Sequence, residues 1–331
     1  MCMRNKVCGN SNLINWCRTG EECTRINRGQ VIQAVDQILK RLGTEYLDVL
    51  MLNWPDRYVP MNGAPIYDGR NEYEETISFL EQIEIMNDLI KAGKIRHYGV
   101  SNETPFGLTN FLIEAKKNNL PKPVVIQNVF NLFNRNDFES GLVEVCSPLN
   151  GGVGLLAASP LAGGSLSGKY IDTEISDTVK NTFRMRRYLG QMYRYMTPPV
   201  ERALMDYMQI SKDYELPLNA IALAYSYTRP FVTSTVIGVS NSQQLEDNVL
   251  SLNVLMTDHL EKSIDEVYRK HVDPAKGAFE IVDPNEEVYN PELEPWFSTK
   301  QKIDSPTQKM MDERLNQWSR YENNEEPTAV K

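Results

Sequence analysis

The sequence predicts an α/β fold of TIM-barrel type, with parallel strands alternating with helices. Three observations carry the prediction. Short β-branched or apolar runs alternate with amphipathic stretches through the middle of the chain, the pattern of repeated βα units. The runs are apolar along their length, as strands of a parallel sheet covered on both faces must be. No Gly-x-Gly-x-x-Gly turn follows any of them, which favours a barrel over an open dinucleotide-binding sheet.

The elements follow in order. Residues 28–42 place Val31, Ile32, Val35, Ile38, Leu39 and Leu42 on one helical face. Residues 46–53 read as a mostly buried strand, and 77–92 as a helix closed by Gly93. A strand at 95–100, a helix at 105–117 and strands at 124–128 and 154–158 come next. Helices are expected at 199–214 and 218–227, a strand at 231–238 and a helix at 242–250. An outer helix over 256–270 has Thr257 as its N-cap.

Two segments fall outside this pattern. Residues 54–75 are polar and rich in Pro, Gly and Tyr, where a barrel carries a substrate-side loop; Tyr58, Tyr67 and Tyr73 either line a pocket there or pack the loop. Residues 273–331 are acidic, poor in aliphatics and interrupted by Pro284, Pro291 and Pro295, with one helical stretch at 305–319. They read as a mobile extension beyond a barrel domain of residues 1–272.

The chain of 331 residues carries a net charge of −9, which argues against general nucleic-acid binding because phosphate contacts need clustered cations. No apolar run has the length of a membrane span and no signal-peptide core opens the sequence, so a cytoplasmic location is expected. Cys2, Cys8, Cys17 and Cys23 crowd the N-terminus without a Cys-x-x-Cys pair, and His97, His259 and His271 lie far off. No metal site is predicted, and the thiols read as reduced. His97 reads as structural, His259 and His271 as solvated, and Cys146 as a small core residue.

Six stretches together resemble the aldo-keto reductase family, most closely its Tas-like and potassium-channel β-subunit branches. They are Arg41-Leu-Gly-Thr-Glu-Tyr-Leu-Asp48, Asn53-Trp-Pro55, Ala92-Gly-Lys-Ile-Arg-His-Tyr-Gly-Val-Ser-Asn-Glu103 and Ile126-Gln-Asn128. Ser159-Pro-Leu-Ala-Gly-Gly-Ser-Leu-Ser-Gly-Lys-Tyr170 and Ser234-Thr-Val-Ile-Gly-Val-Ser-Asn-Ser-Gln-Gln-Leu-Glu-Asp-Asn248 complete the set. The resemblance implies an (α/β)8 barrel that uses NADP(H) to reduce a small-molecule carbonyl substrate.

Phosphate groups bind where backbone N–H groups at helix starts point into a loop, in barrels after the last two strands. Residues 159–169 and 238–248 are those loops; the plain alternative for Gly163, Gly164 and Gly238 is an ordinary turn. Lys169 and Arg186 supply cations, with Arg184 and Arg187 flanking the latter. Carried over residue by residue, the resemblance places Ser101 and Asn102 near the nicotinamide carboxamide, with Gln127 beside them. Ser159, Leu161, Gly163 and Lys169 follow. Arg186, Gly238, Ser240, Gln244 and Asn248 hold the adenosine phosphate end, and Asp247 stands where the family usually has Glu.

Several positions depart from the family. Lys6 matches its catalytic Lys, and Asn53 stands where it has His, able to donate a hydrogen bond but not to exchange a proton. The family's Asp and Tyr belong to a region before the third strand, so the chain reads as an N-terminally truncated barrel holding strands three to eight. Two strand edges are then expected to be exposed. Ala158 lacks the ring that stacks on nicotinamide in many relatives; Tyr98, Phe130 and Phe133 are candidates to replace it, and Tyr58 to replace the proton donor. The expected function is an NADP(H)-dependent carbonyl reductase with impaired catalysis. The alternative is a non-catalytic NADP(H)-binding regulatory or redox-sensing protein whose acidic tail docks a protein partner.

Overall fold

The structure, a computed structural model, describes residues 26–60, 67, 69–170 and 192–276. Lys6, Arg186 and the four N-terminal cysteines lie outside the described residues, as does the extension from residue 277 onward. Five parallel strands form one sheet: β1 Leu47–Asn53, β2 Ile95–Ser101, β3 Val125–Val129, β4 Gly154–Ala158 and β5 Val232–Val236. Consecutive strands pair with one another, giving the order β1-β2-β3-β4-β5. The order never reverses, as it would at the switch point of a doubly wound sheet, so the strands advance in one direction as in a barrel wall.

Helices α1 Arg28–Leu42, α2 Phe79–Lys91, α3 Pro105–Lys117, α4 Val143–Cys146, α5 Pro198–Asp213, α6 Leu218–Tyr227, α7 Ser242–Leu250 and α8 Asp258–Lys270 connect and flank the strands. Their starts are chemically marked. Asn27, Ser78, Thr104, Asn241 and Thr257 each accept a hydrogen bond from the backbone N–H three residues on, satisfying a donor the first turn leaves orphaned. The apolar faces expected from sequence meet in one core, with Val35, Ile38, Leu50, Ile83, Ile126, Leu155 and Ile221 buried in it. Cys146 is buried as expected. Among the described residues no helix is long and apolar enough to cross a membrane.

Three features differ from the sequence expectation. The segment 136–146, not predicted as helix, winds as a π turn at Phe138–Leu142 that runs into α4. His271 is not solvated; its Nε2 lies 2.7 Å from Asp206 Oδ2, which also binds Lys270. β5, read as buried on both faces, exposes Thr233 and Ser234, and Ile237, Leu245, Val249 and Leu252 beyond it are exposed too.

The C-terminal helix α8 is docked by a buried guanidinium. Arg135 donates to Asp265 at 2.7 Å and Glu139 at 3.0 Å, between the rings of Tyr225 and Tyr268. Residues 273–276 pack here as well. Asp273 Oδ1 accepts from the backbone N–H groups of Arg135 and Asn136 and from the Tyr268 hydroxyl, and Ala275 is buried.

Candidate functional site

The parallel register pairs Asn53 and Ser101, the last residues of β1 and β2, and pairs Ser101 with Gln127 midway along β3, on the side of the sheet's C-terminal ends where barrel enzymes carry their chemistry. Three strand ends, those of β1, β2 and β4, turn through a non-glycine residue in the left-handed region. They are Trp54 at φ 70°, Asn102 at φ 59° and Ser159 at φ 56°. Such a conformation costs on the order of 1–3 kcal/mol and persists only where the surroundings over-determine it. Here each is held from a neighbouring segment. Trp54 N–H donates to Ser101 O at 2.9 Å, Asn102 N–H to Gln127 O at 3.0 Å, and the buried Asn131 amide to Ser159 O at 2.8 Å.

The side chains continue the pattern. Ser101 Oγ donates to Gln127 O at 2.8 Å, and Asn102 Nδ2 donates to Asn53 Oδ1 at 2.7 Å. Below this row the chain is braced by charge. Buried Asp56 accepts from Ile26 N–H and Ile77 N–H, tying the chain before α1 to the end of the substrate-side loop. Arg57 grips Glu103 with two hydrogen bonds, at 3.0 and 2.8 Å, and reaches Thr104 Oγ1, its guanidinium lying against Phe79 and Phe106. A bidentate pair of this kind fixes both position and orientation. Gly107 makes it possible, because a Cβ there would sit 1.9 Å from Glu103 Oε2.

The loop after β4 sets a lysine beside a left-handed turn. Leu161 lies at φ −100°, ψ 16°, and Ala162, Gly163 and Gly164 follow at φ 48°, 71° and 102°. A right-handed residue followed by left-handed ones is the backbone pattern of an anion-binding nest, and within this turn the Ala162 N–H donates to Ser159 O at 2.9 Å and the Gly164 N–H to Leu161 O at 2.7 Å. Lys169 packs over this turn: a Cβ on Gly164 would lie 3.1 Å from its Cε. Burial lowers the Lys169 pKa from the ordinary lysine value, because a poorly solvated surrounding disfavours the charged ammonium. A phosphate-bearing ligand fits this donor set. Ser159, Leu161, Gly163 and Lys169 are thus brought together.

The loop after β5 is more open. Gly238, Ser240 and Asp247 are exposed, Gln244 is half-buried and Asn248 is buried. Asn241 caps α7, and Gln244 Oε1 accepts from Ser240 N–H at 2.9 Å. Asp247 accepts from Gln243 Nε2 at 3.0 Å. The ring candidates fail. Tyr98 is buried with its hydroxyl on Pro121 O, while Phe130 packs against Phe138 and Phe231, and Phe133 against Tyr207. Tyr58 lies edge-on to Tyr67, 5.0 Å between ring centres, and the exposed Tyr67 donates to Glu72. Sequence reasoning missed Asp56, Arg57, Glu103 and Asn131. The signal for Glu103 was a lone acid wedged between a strand end and a capping Thr.

Comparison with known proteins agrees with this geometry. The profile of the aldo/keto reductase family matches residues 4–269. An aldo-keto reductase of Babesia bovis is 39% identical over 280 residues, covering 82% of this chain and 96% of that protein. Protein tas of Escherichia coli (strain K12) is 35% identical over 252 residues, covering 76% of this chain and 70% of that protein. A putative voltage-gated potassium channel subunit beta of Schizosaccharomyces pombe is 31% identical over 249 residues, covering 74% and 65%.

Proposed function

The chain belongs to the aldo/keto reductase family, and on that premise we propose that it binds NADP(H) and receives a small-molecule carbonyl at Asn53. The observation that carries this reading is the left-handed turn Ala162-Gly163-Gly164 with the partly buried Lys169 ammonium packed over it, a cation placed for a dinucleotide phosphate. Ser159, Leu161, Gly163 and Lys169 hold the phosphate side, with Gly238, Ser240, Gln244, Asp247 and Asn248 on the adenosine side and Arg186 from outside the described residues. Ser101, Asn102 and Gln127 take the amide end. A bound reduced nicotinamide supplies a hydride. The residues of this chain bind, orient and hydrogen-bond. Asn53 donates to a carbonyl oxygen, and Lys6, outside the described residues, is the proposed basic partner.

A second reading is favoured by one observation: the row Asn53, Ser101, Asn102, Gln127 contains no titratable side chain. A site built so binds cofactor without moving a proton, as a regulatory or redox-sensing protein does, and the acidic residues after 276 then serve as a docking element. Stopped-flow absorbance at the reduced-cofactor band separates the two. The reductase reading expects aldehyde-dependent oxidation of NADPH by the purified chain. Tight NADPH binding with no oxidation under any aldehyde tested refutes it and leaves the regulatory reading.

A further inference from the structure

The hydrogen bonds around Asn53 have a direction that can be worked out from one end. The backbone carbonyl of Gln127 can only accept, and it lies 2.8 Å from Ser101 Oγ and 3.0 Å from the Asn102 N–H. Ser101 has a single hydroxyl proton, and this contact commits it. Toward Asn102, whose Nδ2 lies 3.4 Å away, Ser101 Oγ therefore acts only as an acceptor. The Asn102 side chain must present its NH2 end to this side. The Asn53 atom 2.7 Å from that NH2 must then be an acceptor, Oδ1, which leaves Asn53 Nδ2 with both its protons to donate elsewhere.

We propose that Ser101 and Asn102 are positioning residues that lock the Asn53 amide with its NH2 end turned away from them, making Asn53 a fixed neutral donor to a carbonyl oxygen. The inference rests on the carbonyl reading above and deepens it. An unlocked amide presents its oxygen as readily as its nitrogen, and a carbonyl oxygen facing another is repelled. The left-handed backbone at Asn102, φ 59°, is what brings its side chain back across the end of β2 toward Asn53. A donor fixed in advance needs no reorganisation when negative charge develops on a ligand oxygen. The site so built selects ligands by an acceptor oxygen.

The test uses the full chain and benzaldehyde, with and without NADP+, and reads the carbonyl stretch by isotope-edited infrared difference spectroscopy. A hydrogen bond from Asn53 shifts that band to lower frequency. Asn53→Asp still accepts from Asn102 but offers no proton, so the shift should vanish and affinity should fall about tenfold. Asn102→Asp inverts the relay: Asn53 turns its NH2 inward, and the shift should vanish although Asn53 is intact. Ser101→Thr keeps the hydroxyl and should keep the shift. A merely structural Asn102 would lower stability without moving the band in the folded protein. Should Asn102→Asp fail to unfold cooperatively, Ser101→Ala carries the test, with a weakened shift expected. A shift retained in Asn102→Asp, or absent from the wild type while benzaldehyde binds, overturns the proposal. A separate NADPH titration keeps the cofactor reading apart: its failure alone, with the benzaldehyde shift present, refutes cofactor binding and supports the relay.

Discussion

Replacing Gly107 with Ala probes the brace under the strand-end row. The added Cβ would meet Glu103 Oε2 at 1.9 Å, Arg57 Nη2 at 2.4 Å and Glu103 Cδ at 2.6 Å. The carboxylate must retreat by more than an ångström, and at that distance the bonds of 2.8 and 3.0 Å to Arg57 are lost. Neither group has an easy refuge. The Glu103 side chain is 5% exposed, and Arg57 lies against two rings. Removing one partner of a buried pair costs about 3–5 kcal/mol; here both remain and Arg57 can still reach water, so about 3 kcal/mol is the better figure. Replacing a helical Gly by Ala returns up to about 1 kcal/mol. The net loss is about 2 kcal/mol, read as the shift in urea midpoint multiplied by an unchanged slope. The same substitution in an Arg57→Met, Glu103→Ala background meets no pair to break and should be neutral or stabilising by up to about 1 kcal/mol. An equal loss in both backgrounds, or no loss in the wild type, refutes the claim that Gly107 exists to admit the ion pair.

Other consequences follow from the same structure. Arg135→Met leaves Glu139 and Asp265 facing a buried gap and should cost about 3–5 kcal/mol in urea unfolding, with hydrogen exchange rising first in α8. Tyr225→Phe removes a buried hydroxyl that has no hydrogen-bond partner among the described residues and should be neutral or stabilising by about 1 kcal/mol in the same assay. Lys169→Met should weaken NADPH binding at least about tenfold in a fluorescence titration, since a desolvated charge pairs strongly with phosphate. Burial lowers the Lys169 pKa below its unfolded value, so between the two the unfolded chain holds more protons. Stability of the ligand-free wild type should therefore rise with pH through that window while NADPH affinity falls, and Lys169→Met should abolish both trends.

Helix ends were legible because the signals are local. Thr257, the N-cap expected from sequence, accepts from the Leu260 N–H, and the short polar residues Asn27, Thr104 and Asn241 cap their helices in the same way. The strand-end site was legible as motifs, and the parallel register then set Asn53, Ser101 and Gln127 in one row. What escaped depends on partners distant in sequence. Arg57 and Glu103 are 46 residues apart, and Arg135 and Asp265 are 130 apart. The π turn at Phe138–Leu142 has no period by which to recognise it. The rings proposed to stack on nicotinamide were misjudged for a related reason. Nothing local to Tyr98, Phe130 or Phe133 shows which side of the strand they serve, and all three are spent on packing.

The central claim is that the loop after β4 binds the phosphates of NADP(H), and a direct titration of the purified chain with NADPH tests it. Cofactor emission and Trp quenching are followed together, with Lys169→Met and Gly164→Val as comparison chains and thermal unfolding confirming that each is folded. Saturable binding by the wild type well below about 1 mM, weakened in both variants, is the predicted result. A cooperatively folded wild-type chain that shows no saturable binding, or that binds as tightly after either substitution, contradicts the account.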